Sequence, residues 1–179
     1  SGGAGNDTLN GEAGIDLADY SSAADAVVVD LSVNAATTDG DGASDVINAI
    51  ENIIGSPNDD DLTGDANANV VSGGAGNDTL DGGAGNDTLN GEAGNDVING
   101  GADDDTISGG LGNDMVNGDA GNDTITGDAG NDTLDGAAGD DILVGGLGDD
   151  LIDGGDGVDI AAFDGQGTGV DVTIGAGAV

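Results

Sequence analysis

From Ile53 onward one hydrophobic residue recurs every nine positions, at Ile53, Leu62, Val71, Leu80, Leu89, Ile98, Ile107, Val116, Ile125, Leu134, Leu143, Ile152 and then Ala161. Its two neighbours are mostly polar. The six residues between one triplet and the next are rich in Gly, Asn and Asp, most regularly in Gly73, Gly74, Ala75, Gly76, Asn77, Asp78, Thr79, Leu80, Asp81. A nine-residue beat suits neither a heptad nor an ordinary helix, whereas a three-residue strand alternating with a glycine-rich turn repeats as a solenoid. The pattern predicts an all-β chain. Side chains alternate along a strand, so Leu80 points inward and Thr79 and Asp81 outward.

Ten successive units in register begin at Gly73, Gly82, Gly91, Gly100, Gly109, Gly118, Gly127, Gly136, Gly145 and Gly154; looser ones begin at Gly55 and Gly64, and two open the chain at Gly2 and Gly11. Together they cover about 126 of the 179 residues. The nonapeptide G-G-x-G-x-D-x-U-x is a calcium-binding signature of RTX (repeats-in-toxin) proteins, and over this extent the chain resembles that family. The resemblance implies a parallel β-roll, a right-handed β-solenoid with calcium ions between stacked loops. Two units make one coil, so successive loops fall on opposite edges and loops eighteen residues apart stack.

Calcium takes six to eight oxygens at ~2.3–2.6 Å, and stacked loops offer both carboxylates and main-chain carbonyls. The sixth loop position would supply Asp60, Asp78, Asp96, Asp114, Asp132 and Asp150 on one edge, and Asp87, Asp105, Asp123, Asp141 and Asp159 on the other. Asp7 and Asp16 hold the same position in the opening units. Candidate carbonyl donors are Gly73, Gly76, Gly82, Gly85, Gly91, Gly94, Gly109, Gly112, Gly118, Gly121, Gly127 and Gly130. One ion per stacked pair of good loops gives about eight calcium ions. Asn69 stands in register on the second edge, where a neutral amide weakens the ligand field and leaves a loose or empty site. Solvated turns are the alternative reading of a single Asp loop. Ten in register argue against it, because unmet carboxylates would repel along each edge. Asn77, Asn86, Asn95, Asn113, Asn122 and Asn131 read as turn formers rather than ligands. Asp103, Asn58 and Asn67 replace the third glycine of their loops and are expected to take the left-handed conformation with some strain.

Charge sharpens the picture. The chain has 37 acidic residues and no Lys, Arg or His, so no internal salt bridge between side chains exists and an external cation must meet the charge. We expect an extended chain without metal and a compact one with it. Nucleic acid and acidic membrane surfaces, which demand positive charge, are excluded as direct partners. Cysteine is absent, which removes disulfides and, together with the lack of His, zinc or haem ligation. No apolar stretch is long enough to span a membrane, and Ser1 opens directly on a repeat with no signal-peptide pattern, as a piece of something longer would. Acids alone, without His, Lys, Arg or a nucleophile elbow, make no catalytic constellation, so no enzyme is expected within these residues.

Residues 19–52 break the beat and divide the chain into short repeats at 1–18, a connector at 19–52, the main roll at 53–162 and a terminal segment at 163–179. Val27, Val29, Leu31 and Val33 alternate with Val28, Asp30 and Ser32, which predicts one half-buried strand after an Asp19-Tyr20-Ser21-Ser22 turn. Asp39, Asp41 and Asp45 with Gly40 and Gly42 form either an extra calcium loop or, as the missing distal Glu favours, an ordinary acidic turn. Residues 15–81, through Ile50-Glu51-Asn52-Ile53-Ile54-Gly55, resemble the connector that precedes the roll of serralysin-type secreted metalloproteases. The resemblance brings no protease activity, since that family's zinc motif needs His. The interruption is echoed 143 residues on: Gly14-Ile15-Asp16 as Gly157-Val158-Asp159, Tyr20 as Phe163, and Val27, Val29, Leu31 as Val170, Val172, Ile174. The echo marks either a capping strand or the start of a second connector-plus-roll unit.

The expected function is a calcium-rigidified structural module of a secreted or cell-surface bacterial protein: a rod, adhesin, S-layer or filament segment that folds on meeting extracellular calcium. An alternative is an accessory domain of an enzyme or toxin exported by type I secretion. A third is a self-assembling filament subunit, stacked through the unpaired edges of its end coils. Ile142, Leu151 and Ile160, at an outward position that is usually Thr, are expected to contact the Val170–Ile174 strand or another subunit.

Overall fold

A computed structural model describes residues 5–162 and the backbone of 169–173. Nineteen strands account for its regular structure. The first seven are β1 (Thr8–Asn10), β2 (Leu17–Asp19), β3 (Val27–Asp30), β4 (Ala35–Asp39), β5 (Asp45–Asn48), β6 (Asn52–Ile54) and β7 (Asp61–Thr63). Seven six-residue strands follow: β8 (Val70–Ala75), β9 (Thr79–Ala84), β10 (Thr88–Ala93), β11 (Val97–Ala102), β12 (Thr106–Leu111), β13 (Met115–Ala120) and β14 (Thr124–Ala129). The last five are β15 (Thr133–Asp135), β16 (Ile142–Val144), β17 (Asp149–Asp153), β18 (Ile160–Ala162) and β19 (Gly169–Thr173).

Successive nonapeptides go to opposite sheets. One sheet runs β1-β5-β4-β3-β7-β9-β11-β13-β15-β17-β19 and the other β18-β16-β14-β12-β10-β8-β6-β2. Within the roll all pairing is parallel and in register at eighteen residues: Leu80 lies between Leu62 and Ile98, and Leu89 between Val71 and Ile107. The fold is therefore the parallel β-roll that the nine-residue beat implies. Its core is two facing columns of single side chains, and all twelve from Ile53 to Ile152 are at most 1% exposed. Each Leu or Ile so buried contributes roughly 1.5–3 kcal/mol, and the columns have no second layer behind them.

The central strands are longer than the expected triplet. β9, for example, takes in Thr79-Leu80-Asp81 and continues through Gly82, Gly83 and Ala84. Gly83 pairs with Gly101 and Ala84 with Ala102, so the ladder runs into the first half of each loop. Only positions four to six form the turn. Glycines with no side chain let neighbouring coils approach closely enough for this extra pairing.

The connector adds strands to one sheet only. Val27 and Val29 are buried, and so is Leu31 just beyond β3. Val33, expected to continue the inward series, is 64% exposed, because the chain reverses at Leu31–Asn34, where Asn34 N–H bonds the Leu31 carbonyl and Asn34 takes φ 57°. Two further strands, unforeseen in the sequence, follow: β4 runs antiparallel to β3 and β5. One sheet thus carries β4 and β3 between β5 and β7, while on the other β6 pairs directly with β2 and β8. Tyr20 and Ala18 join the buried core at this junction.

At the other end β19 pairs with β17, Val172 opposite Ile152. Val170 and Val172 thus lie on a strand, as do their counterparts Val27 and Val29. Phe163, Ile174 and Gly2 fall outside the described residues. The expected contact of Ile142 and Ile160 with the final strand is not formed: they are register partners on the other sheet, whereas β19 belongs to the sheet of Leu151. Each unit changes sheet, so outward residues nine apart never share a face.

Candidate metal centre

Each loop is shaped by two close approaches. A Cβ added at Gly73 would fall on the Asp78 carboxylate of its own loop and lie 3.0 Å from the Gly91 carbonyl of the next coil. The first glycine thus keeps open a point that one carboxylate and one carbonyl both face. At the third glycine, Gly94 has φ 149° and a Cβ there would land on the Gly76 carbonyl one coil earlier. Of the three non-glycines at that position only Asp103, with φ 77°, takes the left-handed conformation; Asn58 and Asn67 do not. Their units lack the second glycine too, and the loops of Ser56 and Asp65 turn without a positive φ at that position. The left-handed strain falls instead at the second loop position, on Glu92 (72°), Asp119 (67°), Asp128 (70°) and Ala137 (66°).

The sixth-position aspartates form two buried columns. Asp78, Asp96, Asp114, Asp132 and Asp150 follow Asp60 on one edge, and Asp87, Asp105, Asp123 and Asp141 follow Asn69 on the other; all these side chains are at least nine-tenths buried. In each column Oδ1 accepts the main-chain N–H of the equivalent residue one coil earlier: Asp96 N–H donates to Asp114 at 2.9 Å, and Asp105 N–H to Asp123 at 2.8 Å. Oδ2 is left over. No donor reaches that atom in Asp78, Asp87, Asp96, Asp105, Asp114, Asp123, Asp132 or Asp141 among the described residues. An unmet charge of this kind is costly. Burial, followed by the charges of neighbouring aspartates, accordingly pushes Asp78 and Asp132 up to about 7 against the N–H bond that pulls them down. Asp87 is likewise pushed up to about 7, and Asp96, Asp105 and Asp123 to about 6.

The columns end differently. Asp60 has no spare oxygen: its Oδ1 accepts from Val27 N–H at 2.7 Å and the Ser56 hydroxyl at 2.8 Å, and its Oδ2 from Ser56 N–H at 2.5 Å. The connector therefore caps that edge. On the other, the Asn69 amide nitrogen donates to the Glu51 carbonyl at 2.8 Å, a bond that an aspartate could not make. Glu51 Oε2 in turn accepts Asp16 N–H at 2.8 Å. Glu51 continues the column, and its signal was present in the sequence: it stands eighteen residues before Asn69. Asp7 N–H bonds Asp45 Oδ1 at 2.8 Å, outside the regular eighteen-residue spacing. Asp159 is half-buried and accepts Asp141 N–H at 3.1 Å.

The fifth loop position carries a second ladder that the turn-former reading did not anticipate. Side-chain oxygens of Asn77, Asn95, Asn113 and Asn131 each accept the N–H of the fifth residue one coil later, at 2.7–2.8 Å. Asp104, Asn122 and Asp140 do the same on the other edge. These residues hold coils together and are exposed.

The orphaned Oδ2 atoms and the carbonyls that face the same points are hard oxygen donors, and they fit calcium in charge and kind. No point among the described residues gathers three or more carboxylates, so main-chain carbonyls would have to complete any coordination sphere. No helix in the described residues is long and apolar enough to cross a membrane. In comparisons with known proteins, the family model for the RTX calcium-binding nonapeptide repeat, in four copies, matches residues 1–18, 54–89, 81–116, 108–143 and 135–165. No curated protein matches the chain.

Proposed function

The chain belongs to the family of RTX calcium-binding nonapeptide repeats, and from that premise we propose that it is a structural rod of a secreted or cell-surface protein, folded and stiffened by extracellular calcium. It is a calcium-binding β-roll module, and the β-roll is not a catalytic fold. The observation that carries the proposal is the eight buried, donorless Asp Oδ2 atoms of the two columns in a chain without one basic side chain. Calcium, when bound, supplies the positive charge that this chain lacks.

The protein's own residues have three tasks. Oδ1 of each column aspartate fixes the carboxylate in the folded roll by accepting the preceding coil's N–H, which leaves Oδ2 free to face an ion. The first and third glycines admit the close approach of carbonyls. The hydrophobic columns fix the spacing of coils. Asp78, Asp87, Asp96, Asp105, Asp114, Asp123, Asp132 and Asp141 are the carboxylates we assign to about eight ions. Asp60, with both oxygens already bonded, and Asn69 would mark where the ion-binding part of each column begins. Extracellular modules bind calcium with Kd of ~10⁻⁴–10⁻³ M, so such a chain would stay open in a calcium-poor cytoplasm and close outside.

A calcium titration followed by circular dichroism and small-angle scattering tests the proposal. It should convert an expanded chain into a compact β-structure, reversed by EDTA. The same compact β-structure with and without calcium would overturn it.

A further inference from the structure

Asparagine is followed by glycine four times, at Asn10-Gly11, Asn90-Gly91, Asn99-Gly100 and Asn117-Gly118. Such a pair is labile in an unfolded chain. The glycine nitrogen, with no side chain beside it, attacks the asparagine Cγ. The amide nitrogen leaves as ammonia, taking the proton of the glycine N–H, and a five-membered imide remains. Water then opens one of the two imide carbonyls, giving aspartate or isoaspartate, the latter with one more carbon in the main chain.

The folded roll denies this reaction its geometry. The N–H of the first loop glycine donates to the ninth-residue carbonyl of the next coil, Gly55 to Ser72, Gly64 to Asp81 and Gly136 to Asp153, at 2.8–2.9 Å. Asn90, Asn99 and Asn117 stand in the same register, opposite Ser108, Asn117 and Asp135. The ladder therefore engages the attacking nitrogen, and the extended strand keeps Cγ apart from it. Asn10 is held by the connector instead: Gly11 N–H donates to the Asn48 carbonyl and Asn48 Nδ2 to Asn10 Oδ1, each at 3.0 Å.

The products would not fit the roll. Asn99 and Asn117 are neighbours on an outward row that runs Asp81, Asn99, Asn117, Asp135, Asp153. As aspartates they would turn it into an unbroken line of carboxylates, and like charges directly opposite one another destabilise a sheet. An isoaspartate would add a main-chain atom between the core residue before it and the glycine after it, which throws that coil out of register. On the reading that the roll opens without calcium, we propose that these four asparagines are deamidation sites gated by calcium. They are closed in the metal-bound roll and open in the metal-free chain, and modification at Asn90, Asn99 and Asn117 bars the way back.

The test ages the full chain in mildly alkaline buffer with calcium or with EDTA, then digests it with pepsin in acid for mass spectrometry. Peptides with the Asn-Gly pairs should exchange amide for acid at least about tenfold more slowly in calcium. Asn95 and Asn113, each followed by aspartate, should lag far behind them in EDTA. Calcium returned to the chain aged in EDTA should restore less β-signal than in a fresh one. Asn90→Ser/Asn99→Ser/Asn117→Ser, with the residue this position carries at Ser72 and Ser108, should recover nearly all of it. Equal rates with calcium and EDTA, Asn95 reacting as fast as Asn99, or an aged wild type that recovers as fully as a fresh one would each overturn the inference. Should the triple variant not fold, the wild-type comparisons still decide. A chain that keeps its β-signal in EDTA fails the proposed function and this inference with it, and circular dichroism tells that case apart.

Discussion

Removing calcium should leave the protein with an inverted response to acid: the metal-free roll should gain structure as pH falls. Six column aspartates, Asp78, Asp87, Asp96, Asp105, Asp123 and Asp132, are raised from 3.8 to about 6 or 7 by burial and by the charges of neighbouring aspartates. The folded chain therefore holds protons on these carboxyls that the unfolded chain releases near 3.8. Stability falls as pH rises wherever the folded state binds more protons, so the loss should run from about pH 4 to about pH 7. A carboxyl raised to about 7 costs the fold about 4 kcal/mol when it ionises. Halved for screening at a loop edge and taken over all six, the penalty is about 10 kcal/mol, the whole stability of an ordinary domain. In EDTA the chain should thus be expanded at about pH 8 and regain β-structure toward about pH 5. Calcium should abolish this dependence across the neutral range, since it takes the place of the protons. Far-ultraviolet circular dichroism against pH, with and without EDTA, reads both. Equal β-signal in EDTA at the two pH values, or loss of signal on acidification toward about pH 5, would refute the reasoning.

Two substitutions probe the loop backbone in saturating calcium. Gly94→Ala should destabilise the roll by more than about 2 kcal/mol, because the new methyl meets the Gly76 carbonyl in a conformation that alanine also resists; the calcium midpoint and urea unfolding report it, and an unchanged midpoint would disprove the close approach. Ala137→Gly should stabilise by about 0.5–1 kcal/mol by relieving φ 66°, read as a higher thermal midpoint; a lower one would show that the strain is relieved elsewhere.

The roll was legible because its sequence repeats the physics of one unit: a residue every nine that must be buried, a glycine wherever coils touch, and an aspartate at one fixed place. Ile98 could be assigned to the core and Asp96 to the inner column without any coordinates. Connector residues were harder. Val27, Val29 and Leu31 announced one strand by alternation, but β4, with sequence Ala35-Ala36-Thr37-Thr38-Asp39, has too weak a contrast between its faces to mark a strand. Its antiparallel pairing depends on a hairpin with no repeat to fix its register. The outer Asn ladder was missed for a different reason. Asn beside Asp reads as local turn chemistry, and bonds to a residue eighteen positions away become visible only when coils are stacked. Glu51 shows the converse: it stands eighteen residues before Asn69, but a glutamate outside any glycine loop does not suggest an aspartate's place.

The two ladders also give each loop a sense of direction. Asp114 accepts from Asp96, toward the start of the chain, whereas Asn113 accepts from Asn131, toward its end. Adjacent side chains in one loop thus report to opposite neighbours. Loss of the Asp114 carboxylate would strand a donor in the coil before it, and loss of the Asn113 amide a donor in the coil after. Damage at the metal column would travel upstream and damage at the surface column downstream, so one point on the rod can loosen in either direction according to which of two consecutive residues fails.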